Sequence, residues 1–290
     1  MATSNRNQVY QRIPTEVSKK EFNEFFLPHL SIPSRGPKCK IGYWKVFNLI
    51  LKVLYTGIQW KELPINKGLN GKAEIHYTVV YKIFAKWSND GSLKNAFEDS
   101  VQLLSDKGKL DVSVLHGDGT NTVAKKGGDG IGYCGYKHQR GEKVMAIVDN
   151  NGYIIAPYTI APVNRNDCVL LPASLENLSN IARKTGFSIK NSFLNLDGIF
   201  DSKKNRKAIF NRGMIPNIPE NPRNRKKTKR GRKCLFDKVK HAFRFIVERT
   251  FAWEDKFKRL LLRFERIQSR HFVFKLMAYT MINLRHFCQE

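Results

Sequence analysis

Three acidic residues carry the clearest chemical signal: Asp118 in LHGDGT, Asp197 in LNLDGIFDS and Glu248 in HAFRFIVERTFAW. The first two close short runs of strand-like character, SVLHGD and SFLNLD, and the third lies on a segment of helical period. The chain as a whole is strongly cationic, with 51 Lys+Arg against 25 Asp+Glu and a formal charge of +26. Acids that close strands in such a chain suit the binding of a divalent cation beside a phosphate, because hard cations such as Mg²⁺ take oxygen ligands and tolerate bound phosphate. If Asp118 and Asp197 end adjacent strands, all three carboxylates converge there, an arrangement suited to two Mg²⁺ ions (or Mn²⁺ in their place) about 3.5–4 Å apart. One ion would activate an attacking oxygen and the other would stabilise the departing one. His241, Arg244 and Glu248 fall on one helical stripe, so Arg244 and His241 are placed to orient Glu248 or to touch the scissile phosphate. Plainer readings exist for each residue. Glu248 and Arg244 can form an ordinary i, i+4 pair worth ~0.3–0.5 kcal/mol, and Asp118-Gly119 and Asp197-Gly198 are good turn pairs. The order strand-Asp, strand-Asp, helix-Glu within one region is what favours the metal reading.

The elements that must position these acids follow from the apolar spacing. Residues 15–107 read as mostly helical, with Ile41, Trp44, Phe47, Leu51 and Leu54 on one stripe and Val80, Ile83, Phe84 and Trp87 on another. GIQWKELPINKGLNGK supplies a turn and loop between them. The second helix, about 74–88, keeps His76, Lys82 and Lys86 off its apolar stripe, which suits a helix-turn-helix reader of DNA as well as a plain helical bundle. From Val112 the period changes to β-like runs: VSVLHGD, KVMAIVD and YIIAPYTI, the last two joined by the turn signal Asp149-Asn150-Asn151-Gly152. Helices are predicted over 167–185, about 202–212, 235–258 and about 270–287, with the strand SFLNL ahead of Asp197. That order describes an α/β sheet with an antiparallel part. On the 235–258 helix, Leu235, Phe236, Val239, Ala242, Phe243, Ile246, Val247 and Phe251 define the face expected to be buried.

With 290 residues and 41% hydrophobic content the chain can build a large core. Its charge favours a polyanionic partner, since phosphate neutralisation releases counterions. The stretch NPRNRKKTKRGRK (221–233), with Arg225, Lys226, Lys227, Lys229 and Arg230, reads as a basic loop that tracks a phosphate backbone. Five scattered cysteines without a CxxC pair argue against a structural zinc framework and fit reduced thiols. The polar start, MATSNRNQVYQR, lacks a signal-peptide core and no apolar run is long enough to span a membrane. A soluble cytoplasmic, nucleoid-associated protein is therefore expected. The glycines of KKGGDGIGYCGYKH do not follow a strand and open a helix, so that run reads as a flexible basic loop near DNA rather than a nucleotide site. His116 shares the strand face of Asp118 and reads as a satisfied core histidine before a metal neighbour.

The segment RFIVERTFAWEDKFKRLLLRFER closely resembles the C-terminal signature of bacterial insertion-sequence DDE transposases, in the family named IS five, approximately R-x-x-V-E-R-x-F-x-W-x-x-x-F-R-R-L-x-x-R-Y-E-R. LHGDGT and LDGIFDSKKNR look like that family's two Asp motifs, and GIQWKELP and the turn at Trp87-Ser88-Asn89-Asp90-Gly91 resemble its N-terminal region. The resemblance implies an N-terminal helical, helix-turn-helix-like DNA-binding domain over 1–108 and an RNase H-like catalytic domain over 109–290, a mixed sheet flanked by helices. It also implies a cut-and-paste transposase, with Asp118, Asp197 and Glu248 as the metal-binding triad. In the wider superfamily Tyr, Arg, Glu and Lys recur with intervals of two, three and six residues. Arg244 and Glu248 match, His241 stands at the Tyr position, Asp255 at the Lys position, and Lys256 is the nearest basic neighbour. The implied partner is double-stranded DNA (terminal inverted repeats and target), engaged by a homodimer. A catalytically silent transposase-derived DNA-binding protein and an RNase H-type nuclease are the alternatives.

Overall fold

The computed structural model describes residues 12–35, 39–221 and 235–288. Its N-terminal part is helical, as the apolar spacing predicts. α1 (Lys19–Glu21), opened by a capping box of Ser18 and Glu21, continues as a π-turn over Phe22–Phe26. α2 (Tyr43–Thr56) buries Val46, Phe47, Ile50, Leu51, Val53 and Leu54 and stops at Gly57, whose φ of 74° is one that glycine adopts freely. α3 (Tyr77–Asn89) and α4 (Ser92–Asp106) follow. The turn and loop expected ahead of the second helix are long. Residues 57–76 separate α2 from α3, because the run rich in Gly, Pro and Lys folds into a 3₁₀ turn at Trp60–Glu62 and a small Lys67–Ala73 bridge. Only Asp90 and Gly91 separate α3 from α4, where Gly91 takes φ 81° and Asp90 accepts from the Ser92 N–H.

The sheet, of seven strands among the described residues, is built around the long β1 (Val114–Ala124). β3 (Gln139–Val148) lies antiparallel along one edge of β1, and β4 (Thr159–Pro162) antiparallel along the outer edge of β3. On the other edge of β1, β5 (Phe193–Asn195) runs parallel over Val114–His116, and β6 (Ile215–Asn217) runs parallel to β5. The order β4-β3-β1-β5-β6, antiparallel strands first and parallel strands reached through helices, is an RNase H-like mixed sheet. The run expected to be a flexible loop contains β2 (Gly132–Cys134), paired with the start of β3. Near the far end of β1, β7 (Leu262–Arg263) adds a short parallel contact at Val123 and Ala124.

Helices cover both faces. α5 (Asp167–Thr185) starts at the Asn166 cap and ends at Gly186, and α6 (Lys203–Phe210) precedes β6. The side chains of β1 alternate between faces. Gly119 looks toward α5, where an added Cβ would come within 2.8 Å of the Asp167 carboxylate. Asp118 looks the other way. On that side lies α9 (Gln268–Asn283), which reaches β3 through His271 and Glu142 and is buried nearly all round, as a helix in the middle of a core should be. α9 touches α2, α3 and α4 as well as the sheet side, so the N-terminal helices and the sheet share one hydrophobic core. Asn283 stitches the layers together through the Ile154 backbone and Ser100.

The stretch read as one helix over 235–258 is two. α7 (Lys238–Ala242) and α8 (Phe245–Glu254) are divided at Phe243–Arg244, where Arg244 and Val247 N–H groups bond carbonyls three residues back, at 3.0 and 3.2 Å. Leu235, Val239 and Phe243, expected to be buried, are 71, 73 and 48% exposed. The cause is that α7 docks through its backbone, not its apolar stripe, as described below. α8 buries Ile246, Val247, Thr250 and Glu254, the last held by Lys275 and by the Tyr279 hydroxyl at 2.6 Å. Among the described residues no helix is long and apolar enough to cross a membrane, and Cys39, Cys134, Cys168 and Cys288 are free thiols.

Candidate active site

Among the described residues, Asp118 sits on a stretch of β1 whose edge facing β5 is bare. β5 pairs no further than His116 and β7 begins only at Val123. Asp197 follows β5 by two residues and caps the 3₁₀ turn Gly198–Phe200, its Oδ1 accepting from the Gly198 N–H at 2.6 Å. Glu248 lies in the first turn of α8 with its side chain 57% exposed, more open than a place beside the buried face would give. Arg244, at the start of α8, draws the set together. One guanidinium nitrogen donates to Asp118 Oδ2 at 2.9 Å and the other to Glu248 Oε1 at 3.0 Å. The ordinary i, i+4 pair is therefore present, but its arginine also reaches across 126 residues of chain to β1.

The electrostatics place Asp197 in the same group. Burial pushes the Asp118 carboxyl above the ordinary range; Arg244 and the Gly119 N–H oppose this, and the neighbouring Asp197 charge adds to it. Two carboxylates thus share one guanidinium, and the charge of a third, Asp197, is felt at Asp118. Among the described residues no three His, Cys, Asp or Glu side chains converge closely enough to cage a metal ion as the chain stands. The donor set nevertheless fits a hard divalent cation: it is all oxygen, and its negative charge exceeds what Arg244 can neutralise.

The remaining predicted residues take several different places. His116 is a core histidine: fully buried, flanked by Asn150 at 3.3 Å and Asn195 at 3.2 Å, and pushed below its usual pKa by burial and then by His241 and Arg244. His241 spends Nε2 on the Leu196 carbonyl at 3.2 Å, so it docks α7 onto the end of β5. Lys256 lies beyond the end of α8, eight residues from Glu248, in a cleft with Arg12, Tyr55 and Lys258. His76 caps α3 through Thr78, while Lys82 and Lys86 stand exposed on that helix, Lys86 reaching the Ser31 carbonyl at 3.2 Å. Arg225, Lys226, Lys227, Lys229 and Arg230 lie outside the described residues.

The sequence reading missed two buried asparagines, Asn195 and Asn217, which hold the backbone of α7. The alternation in L-N-L-D, which puts Asn195 on the face of Asp197, was the available signal.

A family model described as the transposase DDE domain matches residues 110–281, well over half of the chain. The chain belongs to the transposase DDE domain family. All three acids and Arg244 lie inside the matched DDE domain. An inferred transposase for insertion sequence element IS402 of Burkholderia cepacia is 28% identical over 143 residues, 49% of this chain and 62% of that protein. The chain therefore spans less than two thirds of the length of the curated relative it matches. Among solved structures, the Mos1 mariner paired end complex with Mn is similar over 68% of this chain and 64% of that chain, at 12% identity and a TM-score of 0.26.

Proposed function

We propose that this chain is a DNA transposase that binds the terminal inverted repeats of an insertion element and carries out divalent-ion-dependent strand cleavage and strand transfer. The observation that supports this most is the sharing of Arg244 between Asp118 and Glu248, with the Asp197 charge beside them, inside a transposase DDE domain. Asp118, Asp197 and Glu248 would hold two Mg²⁺ ions, or Mn²⁺, which when bound supply charge stabilisation to in-line displacement at phosphorus. Asp118 is the fixed member, set by its strand; Glu248 is the exposed member and turns inward by leaving Arg244. Arg244 serves first as counter-ion to two acids. Once they are otherwise neutralised, it is free to pair with a DNA phosphate, for which its planar fork is suited.

In this reading the helices within 1–108 bind DNA, with His76, Lys82 and Lys86 along α3, and 109–290 carries the catalysis. His241, Lys256 and the cations of 221–233 add phosphate contacts. Two copies acting on the paired ends, within the cytoplasm at the nucleoid, complete the reading. The test uses linear duplexes carrying the DNA that flanks the gene, with Mg²⁺ or Mn²⁺. Asp118→Asn, Asp197→Asn and Glu248→Gln should each abolish cleavage while retaining gel-shift binding. Cleavage by Glu248→Gln at the wild-type rate would refute the assignment.

A further inference from the structure

One layer beneath the carboxylates, His116, Asn195 and Asn217 occupy a single row across three strands. His116 pairs in register with Asn195, and Asn195 with Asn217. All three are buried, at 0, 0 and 1% exposure. Their side chains form a continuous chain of hydrogen bonds. The Asn195 amide meets His116 Nδ1 at 3.2 Å and donates to the Lys240 carbonyl at 2.7 Å. The Asn217 amide donates to Asn195 Oδ1 at 2.7 Å and to the Asp237 carbonyl at 3.0 Å, and Asn217 Oδ1 accepts the Asp237 N–H at 2.8 Å. Every amide hydrogen is used. The pattern makes His116 Nδ1 an acceptor, which leaves its Nε2–H to donate to Asn150 Oδ1 at 3.3 Å.

Position gives this row its meaning. His116 precedes Asp118 by two residues and Asn195 precedes Asp197 by two, so these two row members each share a face with an acid. At its other end the row grips Asp237 and Lys240, the backbone of α7, from which the chain continues through Arg244 to Glu248. A buried polar network with all partners satisfied admits one geometry and penalises others.

We infer that the His116–Asn195–Asn217 row is a clamp that sets the third acid against the first two, with Asn195 and Asn217 as positioning residues. The inference rests on the triad assignment above. An apolar contact between α7 and the sheet would allow sliding; paired bonds to the Asp237 and Lys240 backbone do not. Displacing α7 by about 1 Å would carry Arg244 and Glu248 with it, a shift of the size that costs about 100-fold in rate.

The test compares Asn217→Ala and the isosteric Asn195→Asp with wild type, Glu248→Gln and the control Ser174→Ala, a buried hydroxyl on α5 bonded to Thr159. Each is assayed for cleavage of duplex carrying the gene-flanking DNA across a Mn²⁺ titration, for DNA affinity, and for thermal midpoint. The clamp predicts kcat down about 100-fold and half-maximal Mn²⁺ up about tenfold in both asparagine variants, with DNA affinity within about twofold. Ser174→Ala should lose thermal stability alone. If Asn217→Ala does not fold, Asn195→Asp decides the matter. Wild-type kcat and Mn²⁺ dependence in a folded asparagine variant, beside an inactive Glu248→Gln, would overturn the clamp and leave the triad standing. An active Glu248→Gln would overturn the triad instead.

Discussion

Two clusters of carboxylates and arginines lie along the same sheet face, and they are built to opposite ends. Near the end of β1, Glu142 meets Arg263 at 2.7 Å and His271 at 3.3 Å; Glu265 meets Arg259 at 2.6 Å and His271 at 3.5 Å; Asp129 meets Arg263 at 2.9 Å. Glu142, Arg263 and His271 are wholly buried. Burial opposes ionisation of Glu265, yet His271 and Arg259 hold its carboxyl below the ordinary range. Each of these acids contacts an arginine, so the cluster is paired as it stands. Around Asp118, by contrast, Arg244 is the one cation among the described residues bonded to the acids, held by Asp118 and Glu248 with the Asp197 charge beside them, and Asp197 and Glu248 are exposed. The excess of negative charge, placed where a ligand can reach it, separates a site from a structural ion-pair network.

The contrast is sharpest in stability. Arg263→Ala strands Glu142 in the core and should cost ~3–5 kcal/mol, read as a large drop in urea midpoint. Asp149→Asn should cost less, ~1–3 kcal/mol, because the Asp149 carboxylate accepts from the Asp111, Asn151 and Tyr153 N–H groups and an amide leaves one unserved. Burial pushes the Asp149 carboxyl up to about 7. The native state thus keeps a proton that the unfolded chain releases near 3.8, and stability should fall as pH rises from 3.8 to about 7. The Asn variant should flatten that slope in pH-dependent melts. Arg244→Ala should cost at most ~1 kcal/mol while freeing Asp118 and Glu248, so that Mn²⁺ stabilises the variant at lower concentration than wild type in a thermal shift. Glu248→Gln, on an open surface, should stay within ~0.5 kcal/mol of wild type.

Much of this was legible in the residues. The strand-like runs before Asp118 and Asp197 are both strands, though β1 continues past Asp118 to Ala124 instead of closing there, and α5 runs Asp167–Thr185 with its Gly186 stop as the spacing predicts. The break at Phe243 was not legible. The apolar stripe from Leu235 to Phe251 is continuous, and nothing local interrupts it; α7 is instead fixed by Asn195 and Asn217, which are remote in sequence. Buried asparagines leave no hydrophobic pattern, so they read as turn residues until their partners are known. Residues 57–76 read as a turn and loop, but the 3₁₀ turn and bridge inside them were not legible for a related reason: such structure carries no period to count.

The most direct measurement is a calorimetric Mn²⁺ titration in the presence of duplex DNA carrying the gene-flanking sequence. Wild type and Glu265→Gln should bind the ion alike, while Asp118→Asn, Asp197→Asn and Glu248→Gln should each weaken or lose binding. Undiminished binding in the Asp118→Asn variant would contradict the assignment of the open cluster as the ion site.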